Sequence, residues 1–244
     1  MNRTYALVGI LVLLFGAIAY TTYRIWHILP LPQWGKTAVA GLYLLCFLVI
    51  FPHYMLGSRM PFSLAAATYE IGNSWMIFFI YALMFFLALD LGRLVHLVPK
   101  DFVINSLAGT CTVFGIIIGL LTYGGFHYHH KYREAIEITT EKQLEKPLTI
   151  VLDHQPYHLE DAEAAGADFQ FSGHTHHGQV WPGNWLTDAM YEKAFGPHQR
   201  VKTRYYISSG LGIWGGKFRI GTRSEYIVLK LRSEGRSVAT GPRE

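Results

Sequence analysis

Gly173-His174-Thr175-His176-His177-Gly178-Gln179-Val180 carries the densest chemistry in this chain. It follows Phe169-Gln170-Phe171-Ser172, an apolar run that reads as a short strand. Two histidines one residue apart, at a strand end and flanked by glycines, can turn both imidazoles toward one point. Neutral imidazole is the commonest protein metal ligand, and glycine lets the backbone turn without a Cβ clash. The bland alternative for such a string is a polar loop after an edge strand. Upstream, His154 follows another aliphatic run, Thr149-Ile150-Val151-Leu152-Asp153, and precedes Gln155-Pro156.

The string from Ser172 to Pro182 closely resembles the last metal-binding motif of the calcineurin-like metallophosphoesterases, above all their membrane-attached bacterial branch. Thr149–Pro156 is similar to the family's preceding strand, which ends in a single metal-binding histidine. Tyr206–Gly215 is similar to its closing strand and turn, and Arg219, Gly221 and Glu225 stand where its tail enters the last strand. The resemblance covers roughly Lys146 to Arg232. It implies a two-sheet α/β sandwich that hydrolyses phosphoesters with metal-activated water. It implies divalent cations (Mn, Zn or Fe), two in the full family site. On that pattern His154 and His174 hold one metal and His176 helps hold the other; no catalytic acid or base is assigned.

The family's early motifs do not occur. Asp-x-His and Gly-Asp are absent, and Gly72-Asn73 and Gly183-Asn184 are followed by Ser74-Trp75 and Trp185-Leu186 rather than His-Glu. The chain reads like a truncated family member without the first half of its catalytic domain, with the junction near Gln143–Lys146. Three histidines without bridging carboxylates do not hold a cation pair. They suffice for at most one cation, since three protein ligands and an open position form a known zinc arrangement. Asp153 and His177 are the candidates for a fourth ligand, and strand geometry turns both away. The expectation is a membrane-anchored, metal-dependent phosphoesterase impaired by its missing motifs. The alternative is a non-catalytic membrane protein with a residual single-metal histidine site. A small transporter is the weakest reading, because the apolar spans lack an internal charged pathway.

What positions these residues is uneven along the chain. Among 244 residues only 16% are charged, and the mean hydropathy is +0.21, too apolar for an ordinary soluble domain. Residues 1–126 read as a transmembrane helical region, 127–147 as a linker, and 148–244 as the C-terminal part of the phosphoesterase domain. Thr4–Tyr23, Thr37–Leu56, Ser74–Leu89 and Phe102–Tyr123 are the four candidate spans, against about 20 residues needed to cross the hydrocarbon core. The lipid bilayer is thus an expected partner, with a multi-pass protein in the cell membrane. Lysines and arginines divide evenly between the two faces, so the side of the soluble part is undecided. Pro61–Ile71 reads as an interfacial amphipathic stretch. Asp90, Arg93 and His96 read as a solvated turn, and His127-Tyr128-His129-His130 as headgroup-facing residues rather than a metal site. Cys46 and Cys111 read as buried free thiols. Gly109, Gly115 and Gly119 serve either close helix approach or nothing at all.

In the soluble half, Leu148–Leu152, Phe169–Ser172, Arg204–Ser208 and Glu225–Leu231 read as strands and Leu159–Ala165 as a helix. Tyr132–Glu145 reads as a connecting stretch with strand or helix in part, and Trp181–Gln199 as an irregular excursion. His158 and His198 read as surface histidines. The net charge of +4 is modest and no dense basic block occurs, so nucleic acid is not expected as a partner. A phosphoester substrate, lipid-like because of the anchor, is expected. A sandwich short of strands exposes an edge, which predicts self-association.

Overall fold

The computed structural model describes residues 3–140 and 147–233. The predicted junction at Gln143–Lys146 lies outside the described residues. The chain divides into two compact units, one of 1–123 with Gly215–Lys217 and one of Gly124–Trp214 with the rest.

The first unit is built from α1 (Arg3–Ile28), α2 (Gln33–Leu48), the short α3 (Ile50–Leu56), α4 (Phe62–Leu94), the four-residue α5 (Lys100–Val103) and most of α6 (Leu107–His129). Four stretches, Thr4–Ile28, Gln33–Leu56, Phe62–Leu94 and Leu107–His129, are long and apolar enough to cross a membrane. Their outward faces carry exposed Leu, Ile, Val and Phe, as lipid-facing helices do. Between the helices, Trp75 of α4 meets Tyr43 of α2 with ring centroids 5.3 Å apart, and Thr21 of α1 shares a hydrogen bond with Tyr43 Oη at 2.8 Å.

Three sequence expectations change here. Pro61–Ile71 is no separate interfacial stretch. Pro61 caps α4, and the helix then runs unbroken for 33 residues. Gly72 survives inside it because a Cβ there would stand 2.6 Å from Ile50 Cβ, so α3 and α4 meet at that point. Asp90 and Arg93 belong to the last turns of α4 rather than to a solvated turn, and Asp90 contacts the buried Arg24 of α1. Cys111 is exposed rather than buried, and Cys46 is half-buried. The outward face of a membrane helix favours apolar side chains, so hydropathy alone does not separate it from the inward face. Of Gly109, Gly115 and Gly119, only Gly109 lies against a neighbour, under the Phe102 carbonyl; Gly115 and Gly119 face open space.

The second unit is an α/β assembly. Its elements are β1 (Lys131–Thr140), β2 (Ile150–Leu152), α7 (Leu159–Ala164), β3 (Phe169–Ser172), α8 (Gly183–Met190), β4 (Gly196–Arg200), β5 (Thr203–Ile207) and β6 (Ser224–Ser233). Strand β1 occupies the stretch read as a linker. It alternates inward Ile136 and Ile138 with exposed Ala135 and Glu137 and pairs in parallel with β6 over its full length. The second sheet has the order β2-β3-β5-β4, with β4 alone antiparallel.

Period-two alternation sorts the side chains of β5. Tyr205 and Ile207 pack with Leu159 and Ala162 of α7 and with Val151. Tyr206 faces the other way, toward Phe169, Ile138 of β1, and Ile227 and Leu229 of β6. The layers are therefore helix, four-stranded sheet, two-stranded sheet. The stretch Trp181–Gln199, expected to be irregular, contains α8 and β4. Strand β4, with Gly196 and Pro197 in its first positions, has too little β-propensity to be seen without its partner β5.

Candidate metal centre

Strands β2 and β3 are parallel neighbours, so their carboxyl ends lie side by side. His154 stands two residues beyond β2, and His174 two residues beyond β3. Asp153 N donates to Phe171 O at 3.0 Å and Gly173 N to His154 O at 3.2 Å, which carries the pairing past both strand ends. That register sets His154 opposite Gly173, one residue short of His174, and the two rings meet across this step. His174 Nδ1 lies 3.2 Å from His154 Nε2, with ring centroids 5.0 Å apart and the planes at 74°. Two nitrogens bound tetrahedrally to zinc at the usual 2.0–2.1 Å stand about 3.3 Å from each other. The contact has that separation, which is also that of a hydrogen bond between two neutral imidazoles.

His176 is half-buried beside the pair. Its Nδ1 lies 3.2 Å from Ser209 O. Donation of Nδ1–H to that carbonyl leaves the lone pair on Nε2, the tautomer a metal ligand needs. Burial holds the His176 pKa below the usual histidine value, against the Ser209 bond and with help from Arg219, His174 and His154. Among the described residues, no three His, Cys, Asp or Glu side chains converge as a metal ligand set. The structure thus joins His154 to His174 and leaves the His176 ring bonded to Ser209.

Arg219 anchors the loop that carries His176. The guanidinium is fully buried. Its Nη1 donates to His176 O at 3.1 Å. Its Nη2 donates to the carbonyls of Ser209, Gly210 and Gly212 at 2.8, 3.1 and 2.5 Å. One side chain therefore ties the histidine loop to the turn after β5. Glu225, also buried, accepts from Ser208 Oγ and Ser209 N on that turn and pairs with Arg223. Sequence reading placed Arg219 and Glu225 in the family tail without a role; an arginine and a glutamate among glycines and serines were the only hint.

The loop backbone is strained. His174, His176, His177 and Gln179 have φ of 68°, 47°, 48° and 58°, in a left-handed region that costs most residues about 1 kcal/mol or more. Thr175 holds the turn: its hydroxyl donates to Ala194 O and accepts from His177 N. Gln179 Oε1 accepts from Trp214 N at 2.6 Å. His177 stacks on Phe195 and sits 3.5 Å from Asp188, and Asp153 accepts from Gln155 N, so both are engaged elsewhere. His158 pairs with Glu160 in solvent, and the half-buried His198 with Glu192.

Known proteins resemble part of the chain. The chain is 32% identical over 103 residues to an uncharacterized metallophosphoesterase of Campylobacter jejuni, a match covering 42% of this chain and 26% of the relative. It is 31% identical over 134 residues to one of Helicobacter pylori, covering 52% and 35%. A transmembrane protein with a metallophosphoesterase domain from Bos taurus is 35% identical over 88 residues, covering 35% and 20%. The chain spans about a third or less of the length of these relatives. No family model and no solved structure matches. These relatives, named metallophosphoesterases and 31–35% identical over part of the chain, support its resemblance to the calcineurin-like metallophosphoesterases, a family that in general works with divalent metal ions. Four apolar helices and a transmembrane relative make it a membrane protein.

Proposed function

We propose that the chain is a membrane-anchored, metal-dependent phosphoesterase reduced to its late metal motifs. His154 and His174 are the pair that would hold one divalent cation, with His176 Nε2 completing the set by a small rotation of the loop. The 3.2 Å contact between His154 Nε2 and His174 Nδ1 carries this reading. A cation so held would supply a low-pKa water and polarise a phosphoryl oxygen. Arg219 would hold the His176 loop against the added charge, and Thr175 would fix its turn. The donor set is all imidazole, which suits zinc and does not suit a bridged pair of dications, for which carboxylates normally supply the negative charge. We therefore expect one cation and weak turnover, as the absent Asp-x-His, Gly-Asp and Gly-Asn-His-Glu motifs imply.

The substrate class proposed is a phosphoester, lipid-like because the site is carried by a membrane anchor in the cell membrane. The edges of the four-stranded sheet, β2 and β4, are proposed to pair with a second copy of the chain. The alternative function is a non-catalytic membrane protein that keeps the histidine site for a single metal. Purified full chain supplied with Mn²⁺ or Zn²⁺ and a chromogenic phosphodiester separates the two. Turnover lost in His174→Ala supports the enzyme. Bound metal without turnover supports the alternative.

A further inference from the structure

Ionisable groups gather at the end of the helical unit where α1 and α4 both stop. Arg24, in the last turns of α1, is 3% exposed. Its Nη2 lies 3.2 Å from Asp90 Oδ1 of α4. Arg93 reaches the same oxygen at 3.4 Å, and Tyr20 donates to Asp90 Oδ2 at 2.6 Å. Arg24 Nε and Nη2 are nevertheless buried without a hydrogen-bond partner; the approach to Asp90 meets the distance of an ion pair but not hydrogen-bond geometry. A pocket of about 440 Å³ opens on this cluster. Tyr20, Arg24, Asp90 and Arg93 supply its polar wall, and Leu94 and Ile104 an apolar one.

Two simpler accounts fail. Arg24 is not needed as a cap for α1, because Asn105 N and Ser106 N already donate to the carbonyls of His27 and Ile28 at 2.7 and 2.9 Å. A self-contained ion pair would balance its charges, and two guanidiniums against one carboxylate leave a positive excess. A buried guanidinium with free N–H groups is costly until an acceptor arrives. Its planar fork matches two oxygens of a phosphate. The end of two apolar helices is where lipid headgroups lie.

We infer that this pocket binds the phosphate of an anionic phospholipid headgroup. Arg24 and Arg93 contact its oxygens. Asp90 positions both guanidiniums, and Leu94 and Ile104 meet the start of the acyl chains. The site is independent of the histidine centre.

The test is native mass spectrometry of the full chain in detergent, with phosphatidylglycerol against phosphatidylcholine. Wild type is expected to retain phosphatidylglycerol preferentially. Arg93→Gln, at a partly exposed position that tolerates change, is expected to lower that preference about fivefold, the worth of one arginine at an anionic surface. Arg24→Gln is expected to lower it further, with monodispersity by size exclusion as its folding check. Lys100→Gln, outside the pocket, is expected to leave it unchanged. Inorganic phosphate distinguishes the source. Displacement of the lipid shows that the site reads phosphate alone, persistence that the acyl chains contribute, and either supports the pocket. Equal retention of both lipids by wild type, an unchanged preference in Arg93→Gln, or an equal loss in Lys100→Gln overturns the inference.

Discussion

His154 Nε2 and His174 Nδ1 stand 3.2 Å apart although twenty residues separate them in the chain. Parallel pairing of β2 with β3 sets His154 opposite Gly173, the residue before His174. His174 then takes a left-handed backbone, with φ of 68°, so the turn after β3 as well as the strand pairing sets where its ring stands. The sheet pairing and that turn together make two distant motifs one site.

Gly178 has the tightest steric constraint in the loop. Its φ is 69°, and a Cβ there would lie 2.0 Å from Gly183 C and 2.1 Å from Asn184 N. Both are backbone atoms, so no side chain can yield. Gly178→Ala is expected to destabilise by about 4 kcal/mol or more, at the extreme of single substitutions. Thermal unfolding followed by Trp fluorescence checks it. A midpoint within a degree or so of wild type would show that the loop is not held in this form.

Arg219 joins His176 to the turn at Ser209–Gly212 through buried, charge-assisted hydrogen bonds, which contribute about 1.5–3 kcal/mol each. Arg219→Lys keeps the charge and loses the fork. It is expected to lower the unfolding midpoint by several degrees and to weaken metal affinity about 10–100-fold, as loss of a ligand-orienting partner does. Titration with Zn²⁺ under a competing chelator reads the second effect. Equal affinity in the variant and in wild type would reduce Arg219 to a packing residue.

Burial lowers the His176 pKa from the ordinary value of 6.5. The unfolded chain then takes up a proton near pH 6.5 that the folded chain still refuses. Stability is fully present above that pH and falls as pH drops from it toward the depressed folded value. The slope between those limits is expected to vanish in His176→Gln. Chemical denaturation of the metal-free protein across this range measures it; an identical slope in the variant assigns the effect to other groups.

Much of the architecture was legible. Ile150–Leu152, Phe169–Ser172 and Thr203–Ile207 are aliphatic or aromatic runs bounded by turn residues, and buried parallel strands look like that. The cores of the four spans follow from hydropathy. Strand β1 was hidden because its alternating charges suit a solvated linker equally well until β6 pairs with it. The Pro61 boundary misled because proline both ends segments and starts helices. At the site, the family resemblance singled out His154, His174 and His176, and the structure brings the first two together. What the resemblance did not give was the direction of the His176 ring. That depends on Ser209 and Arg219, more than thirty residues downstream and brought in by the last strands.

The most direct test of the central claim is metal analysis of the purified full chain by inductively coupled plasma mass spectrometry, joined to X-ray absorption at the bound metal's edge. One divalent cation per chain with imidazole nitrogen neighbours, lost in His174→Ala and in His154→Ala, is the predicted result. A chain that takes up no cation when Zn²⁺ or Mn²⁺ is supplied, or that holds the same amount after either substitution, would contradict it.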